Sequence, residues 1–375
     1  MGVEWRNWAG DQACNPVELV RPADRDALAE AVASAGSAGR RVSVCGSGHS
    51  FTEAAMTDGT LVDVSALRGV IDVDPPSGLV RVAGGTVLAE LNEELHRHGL
   101  AMENLGDIDR QTIAGAISTG THGTGARLRN ISAQVVGVEL VLGDGTLREL
   151  GEQDSDLLRA ARVGIGALGA LSSITLRCVP AFALERVDTP LPREVVLDEF
   201  QQRADAHDHF ELFTFPYADS ALVLERNRTE ADPRPRGWLA AYLNDVVLEN
   251  WALGALSATG RVLPSTIPAL SRLAARLASG GRTIDRSDRV FANERRVRFT
   301  EMEYSLPREH GPEAARRVIE WVRSNRYPVF FPIEMRVTAA DDALLSPSHD
   351  RDSAYIAVHQ YRGMEWRPYF EAVER

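Results

Sequence analysis

Val42-Ser43-Val44-Cys45-Gly46-Ser47-Gly48-His49-Ser50-Phe51 is a short apolar run that breaks into a glycine loop carrying a histidine. Arg41–Cys45 reads as a strand that ends at this loop. Gly46 and Gly48, one residue apart, let the main chain turn sharply and present consecutive N–H groups. Such a nest suits a pyrophosphate, which needs several donors and tolerates no side-chain bulk. His49 stands at the loop's edge. Outside this context a lone histidine reads as a surface or structural residue.

Working outward, Pro16 is followed by PADRDALAEAVASAG at 22–36. Asp24 is placed to cap a helix whose apolar face is Ala27, Leu28, Ala31 and Val32. Downstream, LVDVS at 61–65, VIDVD at 70–74 and LVRVAGG at 79–85 read as strands. VLAELNEELHRHGL at 87–100 reads as a helix stopped by Gly99. VVGVELVLGDGTLREL at 135–150 reads as a hairpin turning at Gly143-Asp144-Gly145. Strands interleaved with helices predict an α+β or α/β domain over 1–183. The texture then changes. Residues 184–230 mix prolines, aromatics and charges. A helical region spans about Trp238 to Leu277, and three strand candidates follow: RVRFTEMEYSL from 296, VFFPIEMRVT from 329 and AYIAVHQY from 354. These predict a second, substrate-covering domain over 184–375.

GSGHSFTEAAMTDGTLVDVSAL, from Gly46 to Leu67, resembles the first flavin-binding signature of the vanillyl-alcohol-oxidase superfamily, in its aldonolactone oxidase and alditol oxidase branch. The resemblance implies a two-lobed α+β FAD-binding domain with an α+β cap. It implies that Gly46, Ser47, Gly48 and Ser50, with Cys45 at the entry, line the pyrophosphate. It also implies that His49 is joined covalently to the flavin. Thr112-Ile113-Ala114-Gly115-Ala116-Ile117-Ser118-Thr119-Gly120-Thr121-His122-Gly123-Thr124-Gly125 is similar to the second flavin loop of that branch. A flat isoalloxazine needs close backbone approach, hence glycine and alanine, with hydroxyls and N–H groups reaching its polar edge. The resemblance puts Gly115, Ser118, Thr119, Gly120, His122 and Gly123 near the flavin, and Thr112 near the substrate.

Gly164-Ile165-Gly166-Ala167-Leu168-Gly169 fits GxGxxG. A dinucleotide fingerprint follows a strand and opens a helix. Here the order is reversed, with DLLRAARV reading as a helix before it and LSSITLRCV as a strand after it. A Rossmann site is therefore excluded. The resembled family has this unit beside the adenine half of FAD, which implies contacts near Gly166, Gly169 and Ile174.

In VFFPIEMRVT, alternation puts Phe331, Ile333 and Met335 on one face and Glu334 and Arg336 on the other. By itself the charged pair reads as a structural salt bridge. The resembled oxidases carry a Glu-x-Arg pair at the active site. The resemblance thus implies that Arg336 stabilises negative charge or binds substrate oxygens, while Glu334 binds hydroxyls or orients Arg336. On the next strand Tyr355, Ala357, His359 and Tyr361 share a face. His359 and Tyr361 fall where the family has substrate-facing polar residues, and a core role is the competing reading. Glu301 and Glu303 read as structural partners.

The chain has 375 residues and a net charge of -12. That length suits two domains, and the charge opposes non-specific binding to nucleic acid or an anionic membrane. No run of about 18 apolar residues spans a membrane. The stretch from Trp238 leaves peripheral membrane contact open. Cys14, Cys45 and Cys178 form no CxxC pair and, like the histidines, no metal-ligand spacing, so no metal is expected. Sparse cysteines and an N-terminus without a signal-peptide pattern predict a cytoplasmic protein.

The resemblance implies oxidation of a C–OH group on an aldonolactone of the L-gulono- or D-arabinono-1,4-lactone type. Hydride passes to flavin N5, and oxygen or another acceptor takes the electrons. A polyol is the alternative substrate. One departure stands out. The family's C-terminal return segment carries an HWGK-like motif, whereas this chain ends in EWRPYFEAVER, inside an expected helix. It contains no lysine at all, its 41 basic residues being arginines. This makes a flavin-binding protein with little or no turnover the second expectation.

Overall fold

The computed structural model describes residues 3–234, 253–278, 280–292 and 297–375. The chain divides into two compact units. The first comprises Met1–His122, Arg129–Ala181 and Asp341–His349; the second comprises Gly123–Leu128, Phe182–Ala340 and Asp350–Arg375. Two short segments therefore belong with the unit opposite to their chain neighbours. Gly123–Leu128 joins the second because Gly125 N donates to Val337 O at 2.8 Å and Ala339 N to Leu128 O at 2.8 Å. Asp341–His349 joins the first through Asn130 Nδ2 to Ser346 Oγ at 2.9 Å and Arg162 to Asp342 at 2.8 Å.

In the first unit, Glu18–Val20, Thr60–Asp63 and Val42–Cys45 form a parallel sheet in that order. Helix Arg25–Ser37 makes the crossover. Asp24 caps it by accepting from Ala27 N at 2.8 Å. Its buried Leu28 and Val32 pack with Val62, Val64, Leu67, Ala83, Val141 and Ala170. Burying each such side chain fully contributes about 1.5–3 kcal/mol. This core joins the parallel sheet to a five-stranded antiparallel sheet in the order Leu147–Leu150, Val135–Val141, Ala170–Arg177, Leu79–Ala83, Val70–Asp74. The expected strand at 61–65 ends earlier than its sequence suggests. Asp63 accepts from Ser65 N at 2.9 Å and turns Val64–Ala66 into a 3-10 helix.

The second unit is built on a seven-stranded antiparallel sheet. Its order is Gly281–Arg286, Ala183–Pro192, Ser220–Thr229, His209–Thr214, Ile333–Thr338, Ser353–Tyr361, Phe299–Pro307. One face carries the core. Phe210, Leu212, Val223, Ile333, Met335, Val337, Ile356 and Val358 pack with Phe200, Ile319 and Tyr369 from helices. The strand expected from 329 starts only at Ile333. Pro332 supplies no N–H to a ladder, so Val329–Phe331 stay outside it. In consequence Phe331 does not share a face with Ile333 and Met335. It packs against Phe299 (5.4 Å between ring centroids) and His359 (6.0 Å). The helical region read from Trp238 lies partly outside the described residues. Its described part forms helices Leu253–Val262 and Ile267–Leu277. Among the described residues no helix is long and apolar enough to cross a membrane.

Candidate active site

In the first unit the end of strand Val42–Cys45 opens into a cavity of about 440 Å³. Cys45, Gly46, Ser47, Gly48, His49 and Ser50 line it. So do Thr112, Gly115, Ser118 and Thr119 from the second glycine loop, and Gly166 and Gly169 from the third. Three loops far apart in sequence thus meet around one space.

Each loop has a physical reason for its glycines. Gly48 has φ +68°, a conformation side chains rarely adopt. A Cβ on Gly46 would meet Thr112 Oγ1 at 2.1 Å, so the first two loops touch where only glycine fits. Thr112 is buried, and its hydroxyl accepts from Gly115 N at 3.3 Å as the cap of helix Ile113–Ser118. The third loop runs from helix Ser155–Arg162 into strand Ala170–Arg177 with Ile165, Gly166 and Gly169 all at positive φ. Ile165 N donates to Ser118 O at 3.1 Å, tying it to the second loop.

Four residues expected at the flavin do not line this cavity. Gly120, at φ +71°, closes the end of its helix and lies against Pro347. His122 is buried beyond that turn. Gly123 belongs to the second unit, because its segment follows the hydrogen bonds to Val337 and Ala339. Ile174 is wholly buried mid-strand, in register with Val138 and Val82. Sequence reasoning in turn missed Trp5, Gly36, Arg40, Gln111 and Gly143, which do line it. The Gly143-Asp144-Gly145 turn was legible, but not that Gly36 faces it, with room for no Cβ (2.9 Å to Gly143 O).

The lining itself carries no negative charge. No aspartate or glutamate is among the lining residues, whereas Arg40 is. Arg40 is itself paired with Glu18 at 2.9 Å. Burial, with a smaller contribution from Arg110, lowers the His49 pKa to about 4, so its imidazole is neutral near pH 7. Burial, then the charge of Asp63, raises the Cys45 thiol to about 12, which leaves it an inert lining group. A glycine-walled space with open backbone, one cation and no carboxylate fits the pyrophosphate and flat ring of FAD.

Of the residues expected on the substrate side, Thr112 lines the first unit's cavity, whereas Glu334, Arg336, His359 and Tyr361 lie in the second unit, on the sheet face opposite its apolar core. Glu334 and Arg336 form an ion pair. Arg336 Nε also lies 3.3 Å from Glu211 Oε2, and Glu211 Oε1 receives Arg226 at 2.6 Å. His359 Nε2 is 3.5 Å from Glu301, and its ring meets Phe299 edge-on at 5.1 Å. Tyr361 is half-buried, with the Arg261 guanidinium 5.8 Å from its ring centroid. Glu211 and Arg226 were not singled out by sequence. Among the described residues no group of three or more His, Cys, Asp or Glu could hold a metal.

The glycine-walled cavity and the mixed two-unit fold are those of an FAD-binding oxidoreductase. A model described as an FAD binding domain matches residues 16–151, and one described as D-arabinono-1,4-lactone oxidase matches 174–375. The chain belongs to the D-arabinono-1,4-lactone oxidase family and is an FAD-dependent oxidoreductase. It is 47% identical to L-gulono-1,4-lactone dehydrogenase of Mycobacterium tuberculosis over 375 residues, covering all of this chain and 87% of that one. It is 31% identical to L-gulonolactone oxidase of Bos taurus over 378 residues, covering 100% of this chain and 84% of that one. Among solved structures a solvent-stable cholesterol oxidase matches with a TM-score of 0.83 at 17% identity, covering 100% of this chain and 83% of that one. That last likeness is one of fold alone.

Proposed function

We propose that this chain oxidises a carbinol carbon of a sugar-derived 1,4-lactone, of the L-gulono- or D-arabinono- type, with FAD held in the first unit's cavity. The observation that carries the reading is the convergence of three glycine loops on a space with no carboxylate in its wall. The lactone-oxidising relatives support the substrate class. FAD, when bound, supplies a hydride acceptor at N5 and a route for electrons to oxygen or another acceptor.

The chain's own residues do the binding and positioning. Backbone N–H groups of Gly46–Ser50 hold the pyrophosphate, and Gly115, Ser118 and Thr119 lie along the ring. Neutral His49 has a lone pair with which to carry a covalent bond to the flavin. Thr112 keeps the second loop in shape through Gly115. Arg336 meets the oxygens of the lactone and Glu334 its hydroxyls, with His359 and Tyr361 on the same sheet face. Three cysteines, none bonded to another, support a reducing, cytoplasmic location within the same reading.

The test is a turnover screen of purified holoprotein with 1,4-lactones and with alditols, each with oxygen and with a dye acceptor. Turnover of lactones is expected. Turnover of alditols alone would move the substrate to polyols. Retained flavin without turnover of either would make the chain a flavin-binding protein. Acid precipitation tests the linkage: a yellow pellet that turns colourless in His49→Ala is expected, and a colourless wild-type pellet removes it.

A further inference from the structure

The Glu334–Arg336 pair belongs to a longer chain of charges. On neighbouring strands Arg226, Glu211, Arg336 and Glu334 alternate in sign, and all four are 3–7% exposed. Glu211 and Arg336 are direct cross-strand partners in the antiparallel ladder between His209–Thr214 and Ile333–Thr338. The Glu211 carboxylate is shared, one oxygen 2.6 Å from Arg226 and the other 3.3 Å from Arg336 Nε. Glu334 takes the NH2 group of the same guanidinium. Thr124 braces the pair of strands. Its hydroxyl donates to Phe210 O beside Glu211 and accepts from Val337 N, beside Arg336, at 3.3 Å.

We propose that Glu211 is a positioning residue for the reaction, acting through Arg336. A guanidinium bound at one edge can still rotate about that contact. Glu211 beside Nε and Glu334 at NH2 are ion-pair partners on two sides of the guanidinium, and together they restrain where it sits. A restrained guanidinium loses less freedom when it meets the oxygens of a bound substrate. Arg226 has a separate task. Among these four groups Glu211 and Glu334 carry two negative charges against one positive charge on Arg336, and Arg226 supplies the second positive charge. The four groups together sum to zero charge. This inference rests on the reading that Arg336 meets the lactone.

The experiment is a four-corner comparison of wild type, Glu211→Gln, Arg336→Lys and the double variant, all loaded with FAD. Two quantities are read: kcat/KM for a 1,4-lactone, and the dissociation constant of the oxidised product from flavin spectral changes. Glu211→Gln keeps the shape and removes the charge. It is expected to lower kcat/KM by about tenfold or more in the wild-type background and to weaken product binding. In the Arg336→Lys background it is expected to change either by less than about twofold. Glu211→Asp, which keeps the charge, should recover part of the loss. A merely structural role would cost the same in both backgrounds, and that additive result overturns the inference. If Glu211→Gln does not fold, Glu211→Asp is carried through the same four corners under the same criterion. A wild type that turns over no lactone overturns the functional reading and this inference together. An active wild type with additive costs overturns this inference alone.

Discussion

The indole of Trp8 stacks on the imidazole of His49, their centroids 5.3 Å apart and their planes 27° apart. The contact belongs to a clamp formed by the N-terminal segment. Trp5–Arg6 pairs with Ala13–Cys14, and the turn between them grips the glycine loop. Trp8 N donates to Gly48 O at 2.7 Å, and Asn7 Nδ2 donates to Ser50 O at 3.0 Å. The residues on both sides of His49 are thus held, and its ring is covered on one side. Trp8→Ala should uncover it. The imidazole pKa is then expected to rise from about 4 toward the ordinary value of 6.5, because burial is the main cause of its depression. The fraction of protein with acid-stable flavin should fall with it. Imidazole proton shifts in an NMR titration and the absorbance of acid-precipitated protein check both. An unchanged titration would show that Trp8 does not shield the ring.

Gly46 and Thr112 make a second testable contact. An alanine at 46 would put its Cβ 2.1 Å from Thr112 Oγ1 and 2.9 Å from its Cγ2. Overpacking of this kind costs about 1–3 kcal/mol. Thr112→Ala removes both atoms and also the helix cap, a loss of about 1 kcal/mol. The double variant should therefore be less destabilised than the sum of the singles. Urea unfolding of the four proteins measures this, and strict additivity would contradict the contact.

Two histidines with depressed pKa values, His49 and the buried His209, contribute to the pH dependence of stability of the flavin-free protein. His209 Nδ1–H donates to Thr124 O, 2.8 Å away, and the ring meets Phe291 edge-on at 4.7 Å. Burial lowers its pKa to about 4, as it does for His49. The ordinary value of 6.5 applies in the unfolded chain. Between these values the unfolded state binds more protons than the folded one, so stability falls as pH falls from 6.5 toward 4. For His209 alone the loss between about pH 7 and about pH 5 is about 2 kcal/mol. Urea midpoints at the two pH values measure the total. His209→Gln should flatten the slope, and an unaltered slope would assign it to other groups.

How much of this was legible in sequence follows from what each feature depends on. The GSGHS loop was legible because its spacing encodes backbone conformation, which Gly48 at φ +68° realises. The helix–glycine–strand order around Gly166 and Gly169 was legible for the same reason. Gly36 and Arg40 were not, since tertiary packing brings the end of helix Arg25–Ser37 to the cavity. Glu211 sits in HFELFT, an ordinary alternation within residues 184–230. Nothing local marks it as the partner of Arg336, which is distant in sequence and adjacent only through strand order. Alternation puts Phe331 on the wrong face because it runs through Pro332, where the ladder has not yet begun.

The most direct test is an anaerobic titration of the FAD-loaded protein with L-gulono-1,4-lactone, following the long-wavelength absorbance of the flavin. Stoichiometric bleaching is the expected result, the hydride of the lactone's carbinol carbon passing to the flavin. Flavin that stays oxidised with this and other 1,4-lactones, in protein that remains folded, would contradict it.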